Sequence, residues 1–277
     1  MQLQQPVPTN MRKPIPSIFL FLFIAVVVCL FSCKDDSYLT IAPPIVDHSS
    51  FTETFDTTGT ALARGWKIFN KSVPLGDAVW QDGGGSPALF DAYSNNGVNA
   101  GFIGTNYLST SAQKGIISQW LVSPSLLMQN GDKIIFYTRA QKLPGYLNDN
   151  SDDSTDFANR LQLLVNTQSD SAELIGEGEN TGSFTGVTDP VIDINPNYYE
   201  WHNTPGSYPI DGGPTSTTQT IAQAYPTEWT RFEGKITGLA KPTNGRFAFR
   251  YFIKDVRSAA KGTGIGIDQV SYTSISK

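Results

Sequence analysis

An all-β sandwich is the fold class this sequence predicts, and three observations predict it. Short apolar or alternating runs recur between clusters of Gly, Pro, Asn and Asp, the spacing of strands joined by turns. Aromatic residues make up 12% of the chain, and such side chains favour the half-buried, pleated surface of a strand. No long stretch keeps the 3.6-residue spacing of an amphipathic helix.

The elements follow in chain order. Residues 18–31, IFLFLFIAVVVCLF, form an apolar run of 14 residues preceded by Arg12 and Lys13. A membrane-spanning helix needs about 20 such residues. A basic leader, a short apolar core and a small residue before Cys33 instead fit an export signal. Leu30, Phe31, Ser32 and Cys33 resemble a bacterial lipobox, although Phe31 is bulkier than usual at its place. In such a box the cysteine becomes the lipid-bearing first residue of the mature protein. Lys34, Asp35 and Asp36 resemble the basic-then-acidic tag that directs some lipoproteins to the outer face of the outer membrane, or simply solvate a tether. One acyl chain holds a protein only marginally, whereas two or three hold it firmly. The reading is therefore a signal peptide at 1–32, a Pro-Pro-containing flexible tether at 33–49, and a sandwich at 50–277. The expected location is the outer membrane, lipid-anchored and facing the cell exterior.

Within 50–277 the clearest strand is 246–253, RFAFRYFI. Phe247, Phe249, Tyr251 and Ile253 share one face, and Arg246, Ala248 and Arg250 the other. Further strands are expected at 51–55, 65–69, 88–93, 116–122, 133–140, 160–166, 229–236 and 264–272. A short helix is expected at 111–114 or near Ile221. Two polar insertions stand out, at 141–158 and 176–228. Loops this long are usually functional or mobile. Trp66, Trp120 and Trp229 fall inside strand patterns and are assigned to the core.

Charge and cysteine content exclude several classes. Losing Arg12 and Lys13 with the signal leaves 18 basic against 25 acidic residues, a net charge of −7. Nucleic acid and anionic lipid surfaces demand clustered Lys and Arg, and no such cluster is present. With Cys29 removed and Cys33 acylated, the exported part has no cysteine for a disulfide, a thiolate metal site or a nucleophile.

Several segments in fixed order resemble the choice-of-anchor J family, which is related to cleaved-adhesin modules of surface proteases. They are FTETF at 51–55 with Gly65-Trp66, SQWLVSPSL at 118–126, YPTEWTRFEGKITGL at 225–239, GRFAFRYFIKD at 245–255 and GIGIDQVSYT at 264–273. The resemblance spans nearly all of 51–273. It implies a jelly-roll sandwich of two antiparallel sheets displayed on a bacterial surface, and it implies no reaction.

Three constellations could carry chemistry. Glu53 lies between Phe51 and Phe55 on one strand face, where a carboxylate must be paired, neutralised or bound to a metal. Asp268 is read as sharing a face with Val270 and Tyr272, and in jelly rolls the first and last strands commonly lie close together. The resemblance implies a structural Ca²⁺ near such a junction, held by Glu53 and Asp268 with help from Asp56. The alternative is an ion pair from Glu53 to Arg250 or Arg246. The acidic stretch 148–156 lacks the glycine and closing glutamate of an EF-hand and reads as a solvated loop.

In the second insertion, Tyr198, Tyr199, Trp201 and Tyr208 could form an aromatic platform for sugar rings, or pin that loop to the sandwich. No nucleophile elbow, zinc-protease motif or paired-carboxylate spacing is present, and the only histidines are His48 and His202. The leading reading is a non-catalytic binding or adhesion module for a glycan or a surface protein. The alternatives are a carbohydrate-active hydrolase with carboxylates assembled across the concave sheet, and a structural component of a surface complex.

Overall fold

Twelve strands, all paired antiparallel, make up nearly all the regular structure of the described residues. They are β1 (Phe51–Glu53), β2 (Lys67–Asn70), β3 (Gln81–Asp82), β4 (Ile103–Asn106), β5 (Ile117–Val122), β6 (Leu126–Met128), β7 (Lys133–Ala140), β8 (Leu161–Asn166), β9 (Ile192–Ile194), β10 (Thr230–Lys235), β11 (Thr243–Ile253) and β12 (Gly264–Thr273). The computed structural model describes residues 50–83, 90–93, 101–112, 115–141, 159–185, 191–195, 225–254 and 262–275. The chain divides into two units, Met1–Val46 and Asp47–Lys277, and every described residue belongs to the second.

One sheet runs β10-β7-β12-β4-β3, with β1 beside β12 beyond the end of β4. The other runs β2-β5-β11-β8-β9, with β6 continuing the line of β5 along β11. The long strands β11 and β12 are central, one in each sheet, and the sheets pack face to face. Phe136 of β7 meets Phe249 of β11 edge-on at 4.8 Å, and Tyr272 of β12 lies parallel to Phe247 of β11 at 6.3 Å. Trp66 seals one end of this core, edge-on to Phe55 at 5.0 Å and to Phe247 at 5.7 Å. Burying such rings is the main favourable term among the described residues, which contain no cysteine.

Strand β7 shows the logic of the first sheet. Ile134, Phe136, Thr138 and Ala140 are buried, while Lys133, Ile135, Tyr137 and Arg139 alternate outward and remain partly exposed. In the second sheet the outward side is closed as well, so β5 and β8 are buried at every position. Residues 167–185 cover it: Phe184 packs on Trp120 at 5.6 Å, beside Val122, Leu164 and Ala248. Beneath that cover Arg250 is 1% exposed, its guanidinium 3.9 Å from the Phe252 ring centre and 5.0 Å from that of Trp120. It donates to Ser118 Oγ at 3.0 Å, to Gln162 Oε1 at 3.2 Å and to the Gly178 carbonyl.

Four expectations are corrected. The described part of the strand expected at 88–93, residues 90–93, lies in no strand. The insertion read at 176–228 contains a buried ring, Phe184, and a strand, β9, because its apolar residues are too sparse to register as a strand pattern. Strands β3, β4 and β6, each at most four residues long, are too short to show a period of their own. The helix lies at Thr58–Ala63, where Thr57 caps it by accepting from the Thr60 amide, and not at 111–112; residues 113–114 and 221 lie outside the described residues.

Strand β12 carries the one irregularity that matters most. Its register on β7 shifts between Asp268 and Ser271, and Gln269 has a φ of 51°. This β-bulge reverses the alternation, so Ile265 and Ile267 face the core before it and Val270 and Tyr272 after it.

The strand also defines two ends of the sandwich. At one, Ser274 N donates to Ser50 Oγ at 3.0 Å, and buried Asp132 accepts from Gln129 N, Ile275 N and the Tyr272 hydroxyl. At the other, the Gln141 amide meets Gly264 O at 3.1 Å, and Asn159 accepts from Tyr251 OH and the Thr263 amide while its carbonyl takes the Asn195 side chain. Ten residues of β12 separate these ends, roughly 30 Å at about 3.3 Å each.

Burial raises the phenols of Tyr225, Tyr251 and Tyr272 above the ordinary tyrosine range, Asp132 adding to the effect at Tyr272. A raised folded value means stability is complete below the unfolded value of about 10 and falls as pH climbs beyond it. Denaturant midpoints are therefore expected to hold level up to about pH 10 and drop above it, with part of the phenolate absorbance appearing only on unfolding.

Candidate functional site

The outward side of the first sheet carries a cluster of aromatic rings laid on glycines. Gly83, Gly104 of β4 and Gly266 of β12 leave a floor without side chains. A Cβ at Gly266 would stand 2.7 Å from Phe102 and 2.9 Å from Phe90, and one at Gly83 would overlap Phe102 outright. The absence of those atoms lets Phe90 and Phe102 lie flat, stacked at 4.6 Å. Trp229, just before β10, stands edge-on to both, at 5.6 and 5.5 Å, its indole N–H donating to Asp91 O at 2.8 Å.

Next to this group Tyr93 stacks on Tyr137 of β7, ring centres 3.7 Å apart and planes 19° from parallel. Tyr93 remains 43% exposed, the most open ring of the cluster. Its backbone is fixed from below, since Tyr93 N donates to Asp268 Oδ2 at 3.0 Å while Gln269 N donates to Asp268 Oδ1 at 2.7 Å. Asp268 is outward by the alternation that buries Ile265 and Ile267, and the bulge residue Gln269 braces the carboxylate that holds the loop presenting Tyr93. A hydrogen bond with the Tyr137 hydroxyl raises the Tyr93 phenol above its usual range.

Polar groups rim the rings. The Arg139 guanidinium lies 4.6 Å from the Phe90 ring centre, and burial lowers its affinity for the proton, with Glu228 and Asp91 opposing. Glu228 Oε2 is 3.6 Å from Arg139 Nη1. Toward the Ser50 end, Glu233 lies 2.7 Å from both Lys133 and Arg231, in that order the causes that hold its carboxyl below the usual range. A flat apolar surface bordered by donors and acceptors suits a ligand with an apolar face and hydroxyl edges.

The residues singled out from the sequence are placed differently. Glu53 is 1% exposed on the core side of β1, opposite Val270. The short helix returns Arg64 to it: Arg64 Nε donates to Glu53 Oε2 at 2.8 Å, Arg64 Nη2 donates to Oε1, and Phe55 N also donates to Oε1 at 3.1 Å. The partner is Arg64 and neither Arg250 nor Arg246, because Arg250 lies on the far side of the other sheet and Arg246 donates to the carbonyls of Ser123 and Asp170.

Asp268 does not share a face with Val270 and Tyr272. It lies on the outward side just before the bulge, opposite Tyr137, while Glu53 faces inward. Asp56 is exposed and accepts from Thr54 Oγ1 at 2.9 Å. Glu53, Asp56 and Asp268 therefore do not converge as a Ca²⁺ site requires, and among the described residues no group of three or more His, Cys, Asp or Glu is placed to hold a metal. Trp229 belongs to the outward cluster, while Trp66 and Trp120 are buried. Tyr198, Tyr199, Trp201, Tyr208 and Cys33 lie outside the described residues. No described helix is long and apolar enough to cross a membrane.

Sequence reasoning missed Phe90, Tyr93, Tyr137 and Arg139. The available signal was the outward half of two alternations: Tyr137 and Arg139 in β7, and glycines in the GIGID segment of β12.

No family model matches the chain, and no curated protein does. Among solved structures, the chain is similar to the K1 cleaved adhesin domain of Lys-gingipain from Porphyromonas gingivalis W83, at 15% identity, over 82% of this chain and 99% of that one, TM-score 0.44. The K2 cleaved adhesin domain of Lys-gingipain is similar at 14% identity, over 82% and 99%, TM-score 0.44. The CBM22-1 xylan-binding domain of Paenibacillus barcinonensis Xyn10C is similar at 10% identity, over 82% and 94%, TM-score 0.36. The assignment as a β-sandwich rests on the strand pairing itself.

Replacing Arg64 by Ala strands a buried carboxylate and is expected to cost about 1–3 kcal/mol in denaturant unfolding. Gly266→Val should displace Phe90 and Phe102 and cost about 1–3 kcal/mol, read as altered near-ultraviolet dichroism with the far-ultraviolet spectrum retained.

Proposed function

We propose that this protein is a non-catalytic glycan-binding module displayed on a tether, and that its ligand face is the aromatic cluster on the outward side of the β12 sheet. The observation that carries this reading is the exposed Tyr93 ring, stacked on Tyr137, pinned through its backbone to Asp268 and bordered by Trp229, Arg139 and Glu228. A rigid, neutral ring on a sheet offers the apolar face of a sugar a partner that loses little entropy on binding.

The chain's path supports display. It enters the sandwich at Ser50, at the end away from Asn106, Asn159 and Asn195. The lipobox-like residues before Cys33 support an acyl anchor on that cysteine, and Lys34-Asp35-Asp36 supports an outward-facing position in the outer membrane. The ordered segments from 51 to 273 support a module of the choice-of-anchor J type.

Purified full-length protein is to be run against a polysaccharide panel by affinity electrophoresis and calorimetry. Tyr93→Ala is expected to weaken glycan binding about tenfold or more, a loss of about 1.4 kcal/mol, while leaving the melting temperature nearly unchanged because the ring is exposed. Unaltered binding in that variant overturns the assigned face. Release of reducing ends from a bound polymer overturns the non-catalytic reading.

A further inference from the structure

Arg139 is the cation beside the rings that is not committed to a close partner among the described residues. The side chain is only 13% exposed, so most of its solvation is lost. Its contacts are long: Nε to Ala140 O at 3.4 Å, and Nη1 to Glu228 Oε2 at 3.6 Å, beyond hydrogen-bond distance. A mostly buried guanidinium normally saturates its fork of N–H donors, as Arg160 does on Asp193 at 2.7 and 2.5 Å. The Arg139 guanidinium carbon lies 4.6 Å from the Phe90 ring centre, beside the Trp229 and Tyr93 rings, and among the described residues only those two long polar contacts reach its fork.

The remaining charges say which acceptor it can take. Asp91 and Glu228 are exposed at the same rim, Glu228 with 77% of its side chain open. Asp268 lies beneath Tyr93. Arg231 and Lys133, the other cations of this sheet face, already share Glu233. An incoming carboxylate would meet Asp91 and Glu228 as like charges. A hydroxylated ring without charge would accept from Arg139 and donate to Glu228 or Asp91, satisfying all three.

We propose that the face is selective for neutral glycans, with Arg139 as the donor and Glu228 and Asp91 as acceptors that also exclude acidic sugars. This inference rests on the glycan-platform reading above and adds the ligand class.

The test sets neutral polymers (xylan, mannan, galactan and β-glucan) against polygalacturonate and alginate, with purified full-length protein at physiological salt. At least one neutral polymer is expected to bind, and the acidic polymers at least tenfold more weakly. Arg139→Gln should weaken neutral binding about tenfold. The double change Glu228→Gln with Asp91→Asn should raise affinity for the acidic polymers severalfold, an effect that a purely structural role would not produce. Both acids are exposed, so this variant is expected to fold, as checked by dichroism.

Acidic polymers bound as tightly as neutral ones, or neutral binding untouched by Arg139→Gln, overturns the inference. If Tyr93→Ala still abolishes binding in that case, the platform stands without the selectivity. Failure of every polymer to bind overturns both.

Discussion

One extra residue in β12 governs how this sandwich closes. Without the bulge at 268–271, a strand that begins by burying Ile265 and Ile267 would turn Val270 and Tyr272 toward solvent. With it, both halves of β12 feed the core, and the second half receives β1 through the Phe51–Tyr272 ring pair and Glu53. Asp268, the last outward residue before that step, takes two backbone N–H groups on its carboxylate, one of them from the bulge residue Gln269, and holds Tyr93 in place. Core closure thus follows from one local irregularity, and its residue Gln269 also braces the carboxylate under Tyr93.

The two sheets treat their outer sides in opposite ways. The β11 sheet covers its own with residues 167–185, and its outward arginine, Arg250, is enclosed by Trp120, Phe252 and a carbonyl of that cover. The β12 sheet lays rings on a glycine floor instead, and its outward arginine, Arg139, keeps a loose acidic neighbour at its edge. One arginine is satisfied under a roof and the other is loosely partnered at a rim, and the proposed recognition face is the side of the second. Apolar cover stabilises the fold, and exposed rings are tolerated only in small, polar-bordered groups.

Glu53 illustrates how a polar residue on an apolar face is resolved. A buried carboxylate needs a counter-charge, and any of several arginines could serve on sequence grounds. A capped helix of one and a half turns brings Arg64 back to the strand it follows, so the pair is local, eleven residues apart, and ties the first strand to the segment leading to β2. Geometry chose the nearest cation along the chain.

Pattern alone determined the β-sandwich class, the bounds of β5, β7, β8, β10 and β12 to within a residue or two, and the inward set of β11, because a period of two along a half-buried strand is written in its own side chains. It also marked Glu53 as needing a partner, since burial is legible where Phe51 and Phe55 flank it. Tertiary structure alone decided the bulge, which depends on β7 and β1 pairing with one strand at once, and with it that Asp268 stands on the opposite side from Val270 and Tyr272. It likewise decided the outward aromatic cluster: Phe90, Tyr93, Phe102, Tyr137, Arg139 and Trp229 come from four separate stretches of chain. They meet only because glycines on neighbouring strands fall into register, a coincidence of pairing that no single segment encodes.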